Sequence, residues 1–121
     1  MMATVSRFLA DRTGWIEVGR INDIPRRGSR IVRTPPGDVA LFRTEDDRVF
    51  AIDDKCPHRH GPLSQGIVAA DTVICPLHNW VISLVTGEAL GADKGCVKTH
   101  AVQVVDGLIF LSFARIARPA V

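Results

Sequence analysis

The sequence predicts an all-β fold, a sandwich or barrel. Three observations carry this: short runs rich in β-branched or alternating residues, turn residues at most junctions, and no convincing helix longer than a turn or two. In order, the runs are WIEVG (15–19), SRIVR (29–33), DVALFRT (38–44), RVFAID (48–53), DTVIC (71–75), WVISLV (80–85), AVQVV (101–105) and LIFLSF (108–113). Asp106-Gly107 is a two-residue hairpin signal between the last two runs. Pro35-Pro36-Gly37 and Thr86-Gly87 are breakers, and EDD at 45–47 is a polar loop tip. In RVFAID, Val49, Ala51 and Asp53 alternate with Phe50 and Ile52, which predicts one mainly apolar face turned inward. SRFLADR near the start is the only stretch that could form a short helix.

One segment breaks the strand pattern. Residues from about 55 to 79 are rich in Cys, His, Pro and Gly and read as a site-bearing insertion between strands of a β scaffold. Residues 1–12 read as an N-terminal extension, 13–113 as one domain containing that insertion, and 114–121 as a C-terminal tail. A chain of 121 residues holds one apolar core but not a separate catalytic domain beside it, so any chemistry belongs to a compact site.

Composition excludes several function classes. The hydrophobic share is 46%, charged residues are 23%, and 15 basic against 13 acidic residues leave a net charge of +2, an ordinary globular balance. The densest basic patch, PRRGSR at 25–30, has no interleaved aromatic residue, so nucleic acid is not an expected partner. Ser6, Arg7, Asp11 and Arg12 interrupt the apolar character of the start, which argues against a signal peptide. No run approaches a membrane span, and the expected location is cytoplasmic. In a reducing compartment three cysteines serve as metal ligands or remain thiols more readily than they form bridges.

The insertion contains two echoing clusters, CPHRH at 56–60 and CPLH at 75–78. They spell Cys56-x-His58, sixteen intervening residues, then Cys75-x-x-His78, so each loop offers one thiolate and one imidazole. A proline follows each cysteine (Pro57, Pro76), fixing one backbone torsion, and Gly61-Pro62 closes the first loop. Three readings stand at this point. The cysteines could belong to the core beside satisfied histidines. The four residues could form a tetrahedral zinc site, although such sites more often pair two cysteines and then two histidines. They could also hold a [2Fe-2S] cluster with two thiolates on one iron and two imidazoles on the other.

In these residues the sequence resembles the Rieske iron-sulfur family, whose C-x-H and C-x-x-H motifs are matched without substitution. The resemblance implies stacked antiparallel sheets with a small cluster-binding subdomain formed by two loops. It implies a [2Fe-2S] cofactor with Cys56 and Cys75 on the inner iron and His58 and His78 on the outer one. Two thiolates and two neutral imidazoles leave the oxidised site neutral, which is why such centres lie at roughly −150 to +300 mV against about −400 mV for plant-type ferredoxins. The Rieske proteins of respiratory and photosynthetic complexes add a clamping disulfide and a hydroxyl donor. Here Gly61, Leu77 and Trp80 stand at those places, which implies a low-potential centre.

The stretch TGEALGADKGCVKT (86–99) running into V-x-V-x-DG is similar to the small subunit of assimilatory NAD(P)H-dependent nitrite reductase. That resemblance extends over about residues 13–113 and implies a non-catalytic redox subunit. Its partner would be a large subunit bearing FAD, a [4Fe-4S] cluster and sirohaem. A free-standing Rieske ferredoxin serving an aromatic-ring oxygenase is the alternative, and a zinc-stabilised interaction module is the third reading. Outside the four ligands, His60 reads as an exposed neighbour of the cluster, His100 as structural and Cys96 as a buried or idle thiol. Lys55 and Arg59 flank the first ligand loop, and Lys94 lies in a glycine-bounded loop that could fold over the cluster, where they could steer an acidic partner. No nucleophile with a base, paired-carboxylate site or phosphate-binding glycine loop is present, so activity is not expected of the chain alone.

Overall fold

The computed structural model describes residues 14–34, 37–57, 61–77, 79–91 and 94–112. Nine strands run through them: β1 (Trp15–Arg20), β2 (Ser29–Thr34), β3 (Gly37–Arg43), β4 (Val49–Asp53), β5 (Ile67–Ala69), β6 (Thr72–Ile74), β7 (Val81–Ser83), β8 (Thr99–Val105) and β9 (Leu108–Ser112). Six form an antiparallel sheet in the order β1-β9-β8-β4-β3-β2, and three form a smaller antiparallel sheet, β5-β6-β7. All eight expected strands are present, within a residue or two at most ends. The candidate helix SRFLADR lies outside the described residues.

The connections obey the turn chemistry. Asp106 and Gly107 both take positive φ (52° and 80°), the geometry that joins β8 to β9 without splaying them. Strand β5 was not expected, because three residues, Ile67-Val68-Ala69, are too short for alternation to show. It pairs with β6 across a tight turn at Ala70-Asp71, with Ala70 at φ 53°. The insertion therefore carries its own sheet.

Two apolar clusters lie on opposite faces of the β3–β4 hairpin. Ala40, Phe42, Ile52 and Phe50 face an inner core shared with Leu63 of the turn at 63–65 and with Val68, Val73 and Ile82 of the small sheet. Val39, Leu41, Val49 and Ala51 face the other core, to which β1 (Val18), β2 (Val32), β8 (Val102) and β9 (Ile109, Leu111) also contribute. All six strands of the large sheet thus feed one cluster, and the sheet curls into a near-barrel around it. Val-Ala-Leu-Phe is an unbroken apolar run because both of its faces are buried. The expected single inward face of RVFAID is corrected accordingly: Val49 and Ala51 turn toward one core, Phe50 and Ile52 toward the other.

One end of the near-barrel is closed by a 3₁₀ turn, Ile21–Asp23, and by the fully buried Ile24. Arg43, 8% exposed at the end of β3, holds that turn by donating to the carbonyls of Ile21 (3.2 Å) and Ile24 (2.8 Å) and to the Asp47 carboxylate (3.0 Å). Arg26 binds Asp47 as well, and hydrogen bonds from Arg26 and then Arg43 hold its carboxyl below the usual range. Arg43→Met keeps the stem but leaves two carbonyls without their donor. It is expected to lower unfolding free energy by about 2 kcal/mol in urea titration, and an unchanged midpoint would remove Arg43 from the closure of this end.

Candidate metal centre

The two echoing loops spring from separate sheets and meet over the inner core. Cys56 follows the end of β4, and Cys75 directly follows β6. Both are buried, 1% and 2% exposed, among Phe42, Leu63, Val73 and Ile82. Sequence neighbours nineteen residues apart become neighbours in space because β4 and the small sheet share that core.

Each loop is closed in the same way. The Cys56 amide donates to the Gly61 carbonyl at 2.8 Å, and the Cys75 amide donates to the Trp80 carbonyl at 2.7 Å. In both, a cysteine is tied to the residue five positions later. In the second loop the closure uses Asn79 at φ 60°, a left-handed conformation that Asn adopts more easily than most residues. A further clamp holds the first loop: Ser64 donates its amide (2.7 Å) and its hydroxyl (2.9 Å) to the two oxygens of Asp54. Asp54 and Asn79 are positioning residues that the sequence reading missed. Asn beside a ligand motif was the visible signal for one; the other carried none, because Ser64 meets it only in the folded loop.

The loop tips touch. A Cβ on Gly61 would lie 2.6 Å from Leu77 Cδ1 and 3.7 Å from Cys75 Sγ, so positions 61 and 77 face each other as the family pattern implies, filled by leucine against glycine. A third segment packs alongside. Gly87, at φ 80°, comes so close to residue 97 that a Cβ would sit 2.1 Å from the Val97 carbonyl oxygen. Bridges Ile82↔Ala89 and Glu88↔Cys96 then extend the small sheet, and Gly95 (φ 152°) lies against Pro57 and Trp80. Gly95, next to Lys94, therefore abuts the first cysteine loop at Pro57.

The thiol environment suits a soft metal centre. Burial pushes the Cys75 thiol above its ordinary value, the Leu77 amide draws it partly back, and a hydrogen bond with the Cys56 thiol and that thiol's charge raise it again. That Leu77 amide points at Cys75 Sγ at 3.4 Å, the kind of N–H···S contact that stabilises a thiolate ligand. Two adjacent buried thiols are available as half of a candidate ligand set. No cluster of three or more His, Cys, Asp or Glu side chains occurs among the described residues. His58, Arg59, His60 and His78 lie outside them. Cys96 is half-buried beside Glu88, and His100 sits in β8 with Nε2 2.8 Å from Asp53 Oδ1. Among the described residues no helix is long and apolar enough to cross a membrane.

With this geometry in place, the comparisons with known proteins agree. Residues 14–112 match the Rieske-like [2Fe-2S] domain, and the chain belongs to that family of electron carriers, whose cofactor is a [2Fe-2S] cluster. It is 38% identical over 96 residues to the 3-phenylpropionate/cinnamic acid dioxygenase ferredoxin subunit of Photorhabdus laumondii, covering 76% of this chain and 88% of that one. Among solved structures it is similar to the complex of reduced oxygenase and oxidised ferredoxin in carbazole 1,9a-dioxygenase, with a TM-score of 0.73 and 25% identity over 82% of this chain and 93% of that one. It is equally similar to a structure provisionally assigned as the small subunit of an NADPH nitrite reductase, with a TM-score of 0.72 and 27% identity over 80% of this chain and 96% of that one.

Two outcomes follow for the loops. After iron is removed with a chelator, iodoacetamide should modify half-buried Cys96 more than about tenfold faster than Cys56 or Cys75. The rise of the Cys75 rate with pH should lie at higher pH than that of an ordinary thiol, because burial raises it. Mass spectrometry of each cysteine peptide checks both, and equal rates at all three would contradict the burial. Asn79→Val places a β-branched residue in the left-handed region, with an expected cost of about 1–3 kcal/mol and a lower iron content, whereas Asn79→Gly should retain both. Equal iron content in the two variants would show that this conformation is dispensable.

Proposed function

We propose that Cys56 and Cys75 bind one iron of a [2Fe-2S] cluster and His58 and His78 the other. We further propose that the chain is a ferredoxin component relaying single electrons from a flavin-dependent reductase to an oxygenase. The observation that carries the second part is the identity with a dioxygenase ferredoxin subunit along nearly the whole length of that protein. When bound, the cluster supplies reversible one-electron transfer. The chain's residues fix the conditions for it. The inner core keeps the thiols from water, the Leu77 amide stabilises charge on Cys75, and the twin amide closures hold the loop ends rigid, so little reorganises when charge changes.

The nitrite reductase small subunit is the second reading, favoured by TGEALGADKGCVKT (86–99) and by the structural likeness to a chain so assigned. The sequence reading placed it first, and the ferredoxin identity reverses the order. In that setting a large subunit with FAD, a [4Fe-4S] cluster and sirohaem would reduce nitrite with electrons from NAD(P)H, and this chain would be a redox subunit without substrate chemistry of its own. Either partner fits an intracellular protein. The third segment, built on Gly87 and Gly95, is the stretch whose sequence favours this second reading.

Electron paramagnetic resonance of the dithionite-reduced protein tests the ligand set: a Rieske-type signal is expected, and a silent, zinc-containing sample would overturn it. His78→Cys replaces a neutral ligand by an anionic one and should lower the reduction potential; an assembled variant with an unchanged potential would remove His78 from the set. Purifying the chain with its native partner, and identifying either an oxygenase system or a sirohaem protein, decides between the two readings.

A further inference from the structure

A short 3₁₀ turn, Leu63–Gln65, lies between the two cysteine loops in sequence and is tied to the approach to each. On one side it holds the approach to Cys56. Ser64 donates its amide (2.7 Å) and its hydroxyl (2.9 Å) to the Asp54 carboxylate, and the Asp54 amide donates to the Asp38 carbonyl of β3 at 3.0 Å. Asp54 stands just before Cys56, and Ser64 just after Gly61, whose carbonyl accepts the Cys56 amide. The clamp therefore joins the two ends of the first loop.

On the other side the turn meets the approach to Cys75. Gly66, which follows it, runs so close to β6 that a Cβ there would lie 2.3 Å from the Ile74 carbonyl oxygen and 3.0 Å from Val73 Cγ2. Its φ of −82° is open to any residue, so the requirement is for space alone. Ile74 immediately precedes Cys75. The turn also has an anchor of its own. Ser29, the first residue of β2, donates its hydroxyl to the Ser64 carbonyl at 2.5 Å, across 35 positions of sequence. Ser29 pairs with Phe42 of β3, and Phe42 shares the inner core with Leu63, the neighbour of Ser64. Apolar burial is non-directional and seats the turn without fixing its place along the sheet, whereas a hydrogen bond has a set length and direction. The Ser29 hydroxyl supplies that fix.

We propose that Ser29 is a positioning residue of the metal centre, acting through the 63–66 turn to set the spacing of Cys56 and Cys75. The inference rests on the ligand reading, in which both thiolates bind one iron. Two thiolates on one iron tolerate little change in their separation, and the turn is the element tied to the approach of each. A displacement of the turn therefore reaches both cysteines at once.

The test uses the full-length, cluster-loaded protein. Ser29→Ala should release iron to a chelator about three- to tenfold faster, the range expected for the loss of one hydrogen bond. Its paramagnetic resonance lines should broaden as the centre samples more geometries. Ser29→Thr keeps the hydroxyl and should restore both. Thr72→Val removes a bond of the same kind outside the turn, from the Thr72 hydroxyl to the Ala69 carbonyl at 2.7 Å, and should leave release within about twofold of the parent. Gly66→Ala drives a methyl into the Ile74 carbonyl and should assemble with less iron; a normal iron content there would remove the turn from the spacing of the cysteines. Unchanged release in Ser29→Ala, an equal rise in the Thr72 variant, or no recovery in Ser29→Thr would overturn the proposal. Hydrogen exchange of the iron-free protein gives a readout without the cluster. The Ser64 and Cys56 amides should exchange faster in Ser29→Ala, while those of β9 stay unchanged. Faster exchange at these two amides, together with a silent paramagnetic spectrum in the parent, would reject the ligand reading and leave Ser29 as the anchor of the first loop.

Discussion

The structure depends on a hairpin that is buried on both sides. Strands β3 and β4 form the wall between two apolar cores, and neither core can exist without them. One core closes the large sheet on itself, which protects a six-stranded antiparallel surface from water. The other attaches the small sheet, and with it the second cysteine loop, to the end of β4 where the first begins. The metal centre is therefore a consequence of where the cores lie. Cys56 and Cys75 come together because Phe42 and Ile52 share a core with Val73 and Ile82.

On that foundation the two loops are built by one device used twice. A cysteine amide turned back onto the carbonyl five residues later closes each loop. Different residues make this possible in each, Gly61 in one and left-handed Asn79 in the other. Leu77 against Gly61 then seals the junction between tips. Where a bridging disulfide would supply a covalent tie, apolar contact and the Asp54–Ser64 clamp supply non-covalent ones. A joint of this kind holds in a reducing environment, in which a disulfide would not persist.

Charge is divided along similar lines. Arginine–aspartate pairs fasten turns, most firmly at Arg43, where a nearly buried guanidinium ties Asp47 to the cap formed by Ile21 and Ile24. Most of the other pairs are exposed and contribute little each to stability. Lys55 and Lys98 form no ion pair among the described residues.

The sequence by itself determined the class of fold and eight of the nine strands, and it offered a candidate ligand motif. These are local properties: alternation marks half-buried strands, Asp106-Gly107 specifies its turn, and two chelating spacings beside prolines point to metal within a few residues. What tertiary structure decided was set by contacts between distant segments. RVFAID looks one-sided in isolation because nothing in five residues says that a second sheet covers its other face. Strand β5 is too short to announce itself and exists because β6 offers it a partner. Asp54 and Ser64 are ordinary loop residues until folding brings them together. Periodicity and motif spacing are written along the chain, whereas packing partners and surface charge patterns come into being only when it closes on itself.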